Sequence, residues 1–429
     1  MGPFSTFLLL LLKRLTGNAL SRLVIKDLFQ KFSYRYSKTG SNSLLNLLRY
    51  LLKAIRLIFS QPNNLILKST SIVFDGAASS EVQRLDYLNS IGITDTLFVS
   101  REKMNVAFSL KEKIGICFML FISTFLIFPL YLVRSDKAKI ALIILELTEL
   151  AVLSKIISES GCKKCYVFSA YEKDISFLGY YFKYIKKIEV SLFPSPNPIS
   201  IFYKTVICNR FFFTAPFQMI EYEALKNNWD CDATEIIPPP GFNDIVRYNE
   251  NHKATHEIGF VSSGGHLRKA LSHTNNFNNA DNLAEEATIK VVSELSKKAN
   301  IRVIVYLHPL EKKSADAIKI SEEYYQNCFG TNVAFAPYDQ PSKWHFYLCK
   351  IAVSGFSSAQ IERLFGGYKT LFAPMGYLKN YFGDARLESI SANNNSELEK
   401  LIIDNLDISE EFFFSKYNLK SYHFSNYKF

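Results

Sequence analysis

The feature of this sequence that most constrains its fold is the stretch 301–358, where short apolar runs alternate with polar, helix-like segments. The run 301–307 is rich in β-branched residues, which predicts a strand buried in a parallel sheet. Because proline has no amide hydrogen to donate, Pro309 ends this strand and leaves His308 at its carboxyl end. A later strand, predicted at 350–353, leads through a serine-rich turn into a helix. Ligands of open α/β sheets bind beyond the carboxyl ends of the strands, so this stretch predicts a ligand site.

The positive charge of the chain is concentrated near its N-terminus. The net charge is +10, and residues 1–70 contain 11 basic residues and one acidic residue. A helix predicted at 43–59 repeats leucine and isoleucine every three or four residues, with Arg49, Lys53 and Arg56 on its other face. We expect a basic amphipathic helix lying on an anionic bilayer, with packing against the globular body as the alternative. The basic residues lie among leucines rather than stacking aromatics, so nucleic acid is disfavoured as a partner.

A second apolar segment, 114–133, carries no charge and is long enough for a transmembrane helix. However, it lies between segments that are predicted to join one sheet, and Pro129 interrupts it. We therefore expect a helix that lies in the membrane interface or is buried against the sheet, with a single span as the alternative. The basic pair that follows the first apolar run argues against a secretory signal peptide.

The alternation of predicted strands and helices indicates an α/β fold with two Rossmann-like domains and a basic, helical N-terminal extension. The predicted segments are a basic, membrane-associating extension (1–64), an N-terminal α/β domain (65–242), a linker (243–256), a C-terminal α/β domain (257–390) and a helical tail (391–429). Of the seven cysteines only Cys162 and Cys165 are close together, and no second pair completes a zinc site. We expect reduced thiols and no metal.

Three segments of the predicted second domain have the chemistry to bind a phosphate group. Ser357 and Ser358 head a helix, whose free amides and dipole favour an anion, although a serine there is also an ordinary N-cap. His308 could donate to a phosphate or to a leaving nucleotide. The turn after the strand at 258–261 consists of small residues, whose backbone amides could bind an anion. The alternative is that its glycines are needed only because the turn is tight. The predicted phosphate-binding residues are Ser262, Ser263, Gly264, Gly265, His308, Pro309, Ser357 and Ser358, and Glu362 is predicted to contact a ribose.

The predicted first domain offers carboxylates that follow its strands and could act as a general base. Asp75 comes after the strand at 71–74, and Glu172 and Asp174 come after the strand at 165–169. Each could also be a solvated loop acid or a helix N-cap. The family resemblance described next ranks Asp75 first and Glu172 second as the base that deprotonates an acceptor hydroxyl.

The second half of the chain resembles bacterial sialyltransferases and related Kdo transferases, which have the two-domain GT-B fold. The residues that carry this resemblance are His308-Pro309 and, some fifty residues later, Ser357-Ser358. Those families place a base in an acidic-acidic-Gly motif, to which Phe74-Asp75-Gly76 is similar with one acid fewer. The resemblance implies an inverting, metal-independent glycosyltransferase that uses a CMP-activated nonulosonic acid or Kdo-like sugar as substrate and needs no cofactor.

The implied setting is capsule, O-antigen or other lipid-linked glycan synthesis. The enzyme would be peripheral on the cytoplasmic face of the membrane, with residues 1–60 against anionic lipid and a glycan or lipid-linked glycan as acceptor. The alternatives are a UDP- or GDP-sugar transferase, a CDP-glycerol-type polyol-phosphate transferase, which shares the His-Pro and Ser-Ser pattern, and a non-catalytic membrane-associated scaffold.

Overall fold

A computed structural model describes most of the chain. The described residues are 2–15, 18–26, 44–60, 68–104, 106–133, 137–168, 175–199, 205–271, 279–299, 301–330, 333–355, 357–378 and 382–427. The chain divides into two compact units. The first unit comprises Met1–Pro194, Ile199–Phe213 and Tyr222–Glu235, and the second comprises Ser195–Pro198, Thr214–Glu221 and Ile236–Phe429.

The first unit contains a six-stranded sheet in the order β2-β1-β3-β4-β5-β6. Its strands are β1 (Ser71–Asp75), β2 (Thr96–Ser100), β3 (Lys164–Val167), β4 (Glu189–Leu192), β5 (Val206–Phe213) and β6 (Trp229–Ile236). The helices up to β6 include α1 (Pro3–Leu15), α2 (Leu44–Phe59), α3 (Glu81–Ser90), α4 (Leu110–Val133), α5 (Lys137–Ser160) and α6 (Ile175–Tyr180). They also include α7 (Pro216–Leu225), whose residues up to Glu221 belong to the second unit. Strands β1 to β5 pair in parallel. Because β2 and β3 lie on opposite sides of β1, the direction of winding reverses between β1 and β3.

The second unit contains a five-stranded parallel sheet in the order β11-β10-β7-β8-β9. Its strands are β7 (His256–Val261), β8 (Val303–Tyr306), β9 (Ala334–Phe335), β10 (Cys349–Ser354) and β11 (Thr370–Phe372). Its helices are α8 (Gly265–Leu271), α9 (Asn279–Ala299), α10 (Ala315–Phe329), α11 (Ser358–Phe365), α12 (Ala385–Glu388), α13 (Asn395–Leu406) and α14 (Glu410–Lys416). Numbered within the unit, the strand order is 5-4-1-2-3, which is the winding of a Rossmann fold. The predicted class, α/β with two Rossmann-like domains, is confirmed.

The N-terminal helices belong to the first unit. Helices α1, α2 and α4 all pack on α5, whose side chains from Leu142 to Leu153 are almost all buried. Helix α5 is therefore enclosed by its neighbours. The predicted helices at 43–59 and 114–133 are confirmed as α2 and α4. Among the residues that the structure describes, no helix is long and apolar enough to cross a membrane.

The segment predicted as a linker, 243–256, is hydrogen-bonded to the second unit. The amide of Tyr248 donates to the carbonyl of Gly366 (2.7 Å), and that of Thr255 donates to the carbonyl of Leu348 (3.2 Å). The predicted tail, 391–429, lies in the same unit. The hydrophobic core of this unit includes Leu398, Ile402 and Phe413 from that tail. The helices of the tail are therefore part of the second unit and not a separate segment after it.

Strand β6 has no counterpart among the predicted elements. Asp230, Asp232 and Glu235 interrupt its apolar residues, and most of the strand is exposed or half-buried. An edge strand needs no continuous apolar run, and charged residues on it discourage pairing with other chains. Because β6 has no continuous apolar run, the sequence alone does not predict this strand.

The close packing of α6 on β5 predicts opposite effects for the same substitution at two glycines of the first unit. A Cβ atom at Gly179 in α6 would lie 1.8 Å from the carbonyl oxygen of Ile207, whereas one at Gly115 in α4 would meet nothing within 4 Å. We expect Gly179→Ala to lower the free energy of unfolding by about 3 kcal/mol, because a backbone atom cannot give way. Gly115→Ala should raise it by roughly 0.5–1 kcal/mol through helix propensity.

The measurement is urea denaturation followed by circular dichroism, with Gly115→Ala as the matched control. If the two variants shifted the transition in the same direction, the close contact between α6 and β5 would be refuted.

Candidate functional site

The predicted site residues of the second unit gather at the carboxyl edge of its sheet. The winding reverses between β7 and β10, and ligands of open α/β sheets bind at such a switch point. The predicted turn 262–265 follows β7, and Ser357 and Ser358 follow β10. His308 follows β8, the other neighbour of β7. The structure therefore places these loops at the ends of three adjacent strands, β8, β7 and β10.

The turn after β7 approaches its surroundings closely at both glycines. Gly264 has a φ of +73°, and a Cβ atom there would lie 3.3 Å from Nδ1 of His308. A Cβ atom at Gly265 would lie 2.7 Å from Oδ1 of Asn282. Two amides of the predicted anion nest already have protein acceptors, since Ser263 donates to Glu285 Oε2 (3.1 Å) and Gly264 donates to Ser262 Oγ (2.9 Å). The glycines are thus required because a side chain at either position would crowd its surroundings. The turn also has fewer free amides for a ligand than predicted.

A buried carboxylate, Glu311, joins the loops after β7 and β8. Its Oε2 accepts from the amide of His308 (2.6 Å), and its Oε1 accepts from Ser262 Oγ (2.9 Å) and from the hydroxyl of Tyr325 (3.1 Å). The side chain is fully buried, and this burial raises the pKa of Glu311 to about 7. Glu311 therefore fixes the backbone of His308 while it holds a proton more readily than an exposed glutamate.

A second buried carboxylate, that of Glu285 in α9, binds the loop after β7. It accepts from the amide and the hydroxyl of Ser263, and burial raises the pKa of Glu285. A Cβ atom at Gly355, in the loop after β10, would lie 3.9 Å from the amide nitrogen of Glu285. The start of α9 thus lies against both loops, and the hydroxyl of Tyr325 contacts Glu285 Oε1 at 3.4 Å.

His308 is a neutral hydrogen-bond donor in this arrangement. The amide of Leu310 donates to Nδ1 (3.1 Å), so the ring carries its hydrogen on Nε2. Burial, together with the charge of Arg268, lowers the pKa of His308 to about 4. The guanidinium nitrogen Nη2 of Arg268 lies 3.2 Å from Nε2 of His308. Because arginine can only donate, this contact is a hydrogen bond where Nε2 accepts, and it opposes two donors where Nε2 carries the hydrogen. In the second case an anionic oxygen that accepts from both groups would relieve the contact.

Ser357 and Ser358, which follow β10, differ in the hydrogen bonds of their hydroxyl groups. Ser357 is the N-cap of α11, where its hydroxyl accepts from the amide of Ala359 (3.3 Å) and its own amide donates to Gln360 (2.9 Å). This capping box is the ordinary role that the sequence analysis gave as the alternative. Among the described residues, the Ser358 hydroxyl has no hydrogen-bond partner. The Ser357 hydroxyl still has its hydrogen to donate to a ligand.

The remaining predicted residues of the second unit lie in different surroundings. Pro309 is exposed in the turn after His308. Glu362 is half-buried in α11, and its surroundings include Lys343 and Asp244, whose side chains form an ion pair of 2.9 Å. Burial raises the pKa of Glu362 to about 7. A contact of Glu362 with a ribose stays a prediction.

In the first unit, Asp75 lies at the carboxyl end of β1 beside the switch point of that sheet. It is buried, and its Oδ1 accepts from the amide of Gly76 (2.6 Å). Its Oδ2 accepts from Ser80 Oγ (3.0 Å) and from Nε of Arg84 (2.7 Å). The ion pair with Arg84 holds the carboxylate in place. Glu172 and Asp174 lie outside the described residues, so both stay predictions.

Four side chains that build this site were not nominated from the sequence: Arg268, Glu285, Glu311 and Tyr325. Three of them lie on the helices α8, α9 and α10, where a charged or aromatic residue usually faces solvent or core. Glu311 had a local signal, since it follows His308-Pro309 at the spacing of a turn that its carboxylate can close. Among the described residues, no group of three or more His, Cys, Asp or Glu side chains could hold a metal ion.

The raised pKa of Glu311 predicts a pH-dependent effect of Glu311→Gln on stability. The folded protein keeps the proton up to a pKa of about 7, and the unfolded chain loses it above its ordinary value of 4.5. The stabilisation is therefore complete below pH 4.5 and is lost as the pH rises through 7. Between pH 5 and pH 8, the wild type should lose roughly 3 kcal/mol at most relative to Glu311→Gln.

Urea denaturation at both pH values measures this difference, because lost hydrogen bonds add only an offset that does not change with pH. Glu257→Gln is the matched control. The ion pair with Arg302 lowers the pKa of Glu257 to about 2, so its difference from the wild type should stay constant above pH 5. A constant difference for Glu311→Gln as well would contradict the raised pKa.

No family model matches the sequence, and no curated protein sequence is significantly similar to it. Solved structures with a similar course of the chain include a UDP-GlcNAc 2-epimerase from Methanocaldococcus jannaschii in complex with UDP-GlcNAc and UDP (11% identity, 79% of this chain and 93% of that chain, TM-score 0.44). Others are a glycosyltransferase from Rickettsia africae (12% identity, 83% and 98%, TM-score 0.41) and the wall teichoic acid polymerase TagF (10% identity, 88% and 92%, TM-score 0.40). At such identities, the assignment of two Rossmann-like units rests on the two sheets themselves.

Proposed function

We propose that this chain is a glycosyltransferase of the GT-B type. It would move a sugar from a nucleotide donor, in our proposal a CMP-activated nonulosonic acid or Kdo-like sugar, to a glycan acceptor in surface polysaccharide or lipid-linked glycan synthesis. The observation that carries the proposal is the approach of Nη2 of Arg268 to Nε2 of His308, which lie 3.2 Å apart near the switch point of a Rossmann-like sheet. Such a pair matches one phosphate group.

In the proposed reaction, these two donors stabilise the charge that develops on the departing phosphate. The guanidinium supplies a permanent positive charge, and the neutral imidazole supplies a directed hydrogen bond. Glu311 positions His308 by accepting its amide hydrogen at 2.6 Å. Because donors already fixed in the protein need no rearrangement during the reaction, their stabilisation of the transition state is efficient. A metal ion is not required for this charge to be stabilised.

The choice of CMP among the nucleotides rests on the resemblance carried by His308-Pro309 and Ser357-Ser358. A transferase of CDP-glycerol type shares that pattern, and a UDP- or GDP-sugar transferase shares the fold class. A non-catalytic scaffold would keep the fold without binding a nucleotide. These alternatives differ in which nucleotide binds, so binding separates them.

Binding of nucleotides should depend on Arg268 and not on an arginine at the other end of the sheet. We expect CMP to raise the melting temperature, since a ligand that binds only the folded protein stabilises it by RT ln(1 + [L]/Kd). Arg268→Gln should weaken this binding by about 10- to 100-fold, the contribution of a charge-assisted hydrogen bond. Arg302→Gln is the matched control, because Arg302 precedes β8 at the amino edge and pairs with Glu257 (2.9 Å).

The measurement is a thermal-shift titration with CMP, CDP, UDP and GDP for the wild type and both variants. Stabilisation by UDP or GDP but not by CMP would contradict the proposed donor. If no nucleotide stabilised the wild type, the non-catalytic scaffold would be favoured instead. Equal losses for Arg268→Gln and Arg302→Gln would show that the proposed phosphate site is misplaced.

The proposed base predicts a selective loss of turnover in Asp75→Asn. A general base contributes about 10²- to 10⁴-fold to the rate, so kcat should fall by at least about 100-fold. The KM for the donor should stay unchanged, because Asp75 belongs to the first unit and the proposed phosphate donors belong to the second.

Steady-state kinetics with a nucleotide-sugar donor and melting temperatures of the same samples test this role. Arg84→Gln is the control, since it removes the ion pair of 2.7 Å and keeps the carboxylate. If Asp75→Asn lost stability and kept its kcat, the carboxylate would be structural only, and the base would have to be sought elsewhere.

A further inference from the structure

Helix α4 exposes a long apolar stripe to solvent. Ile114, Phe118, Phe121 and Phe125 recur at intervals of four, three and four residues, so they lie on one face of the helix. Their side chains are 62–71% exposed, whereas Leu120, Ser123 and Ile127 on the opposite face are at most 8% exposed. The stripe is about 16 Å long at 1.5 Å per residue. Soluble proteins rarely leave such a stripe uncovered unless it binds a partner.

Helix α2 exposes side chains of two kinds, apolar and basic. The exposed apolar side chains are Leu48, Leu52, Ile55 and Phe59, and the exposed basic ones are Arg49, Lys53 and Arg56. The helix contains no acidic residue, and only Ala54 and Ile58 are fully buried among its side chains with described exposure. Apolar side chains interleaved with arginine and lysine are typical of helices that lie in a membrane interface.

The two exposed faces adjoin each other in the first unit. The ammonium group of Lys113, at the start of α4, lies 5.4 Å from the centre of the Phe59 ring at the end of α2. Both helices pack on α5 and contact each other. We call the exposed side chains of α2, Lys113 and the stripe of α4 the α2–α4 surface.

The positive charge of this surface indicates which kind of partner it can bind. A second copy of the chain would bring the three cations of α2 and Lys113 against the same set, which is unfavourable. An anionic bilayer offers the complement, since phosphate groups attract the cations and the acyl boundary accepts the aromatic rings. Because the inner face of α4 is buried against the unit, the helix can lie in the interface but does not leave the protein to cross the membrane.

We propose that the α2–α4 surface docks the protein on an anionic lipid bilayer, with Phe118, Phe121 and Phe125 entering the boundary between headgroups and acyl chains. The cations of α2 lie at the level of the lipid phosphates. This inference concerns the first unit alone and is independent of the nucleotide site in the second unit.

Two sets of substitutions test the apolar and the basic parts of the surface separately. Replacing Arg49, Lys53 and Arg56 together by glutamine should weaken binding to anionic vesicles by about 100-fold at low salt, since each cation near such a surface contributes about a factor of five. Replacing Phe118, Phe121 and Phe125 together by serine should weaken it by about tenfold or more. The substituted side chains are exposed, so melting temperatures should stay close to that of the wild type.

The measurement is flotation of the full chain with vesicles of phosphatidylglycerol and phosphatidylcholine, with pure phosphatidylcholine vesicles in parallel. The double variant Ile403→Ser and Phe412→Ser is the matched control, because both side chains are 57% exposed in the second unit. Control and wild type should bind anionic vesicles equally. Unchanged binding by the phenylalanine variant, or equal binding of the wild type to both kinds of vesicle, would overturn the proposal.

A tryptophan placed in the stripe distinguishes insertion from surface adsorption. The fluorescence that Phe121→Trp adds should be quenched by lipids brominated in their acyl chains, and that of Phe412→Trp should not. Absence of quenching in Phe121→Trp would refute insertion. If size-exclusion chromatography showed the wild type as a dimer and the phenylalanine variant as a monomer, with vesicle binding unaltered, the surface would be a contact between copies instead.

Discussion

The candidate site of the second unit depends on one buried carboxylate. Glu311 accepts hydrogen bonds from the amide of His308 and from the hydroxyls of Ser262 and Tyr325, so it holds together the loops after β7 and β8 and a helix behind them. A buried charge is tolerated only where hydrogen bonds replace its lost hydration. Glu285 lies on the other side of the same tyrosine hydroxyl, which brings two carboxylates into one buried network. Burial raises the pKa of each group, and the charge of Glu285 adds to the shift at Glu311.

The sequence predicted the fold well wherever a strand is buried on both faces. The strands β1, β7 and β10 are short runs of apolar residues bounded by turns, and their predicted and observed limits differ by two residues at most. Strand β6 was not predicted, because its acidic residues are equally typical of a loop. Only the pairing with a neighbouring strand identifies it as a strand. The order of the strands in each sheet could not be predicted either, since it depends on which apolar faces meet in space.

For the site, the sequence located residues that follow strands and missed residues that approach from helices. His308 and the serines stand at strand ends, where position along the chain already implies position in the sheet. Arg268 and Tyr325 reach the same loops from α8 and α10. The periodicity of a helix predicts which face is polar, but it does not predict that this face contacts a loop of the site. The run at 114–133 predicted helix α4 but not its exposed side, because a helix that is apolar all round gives no direction.

The neutral state of His308 has a consequence for the kind of anion that the site can hold. Beside Arg268 and away from solvent, a second positive charge is unfavourable, and this keeps the imidazole neutral in the absence of a ligand. A bound dianionic phosphate reverses the local field, which raises the affinity of the imidazole for a proton. The same pair of side chains thus offers one positive charge to a monoanion and can offer two to a dianion. A leaving group whose charge grows as its bond to the sugar breaks is the ligand that such a pair stabilises increasingly along the reaction.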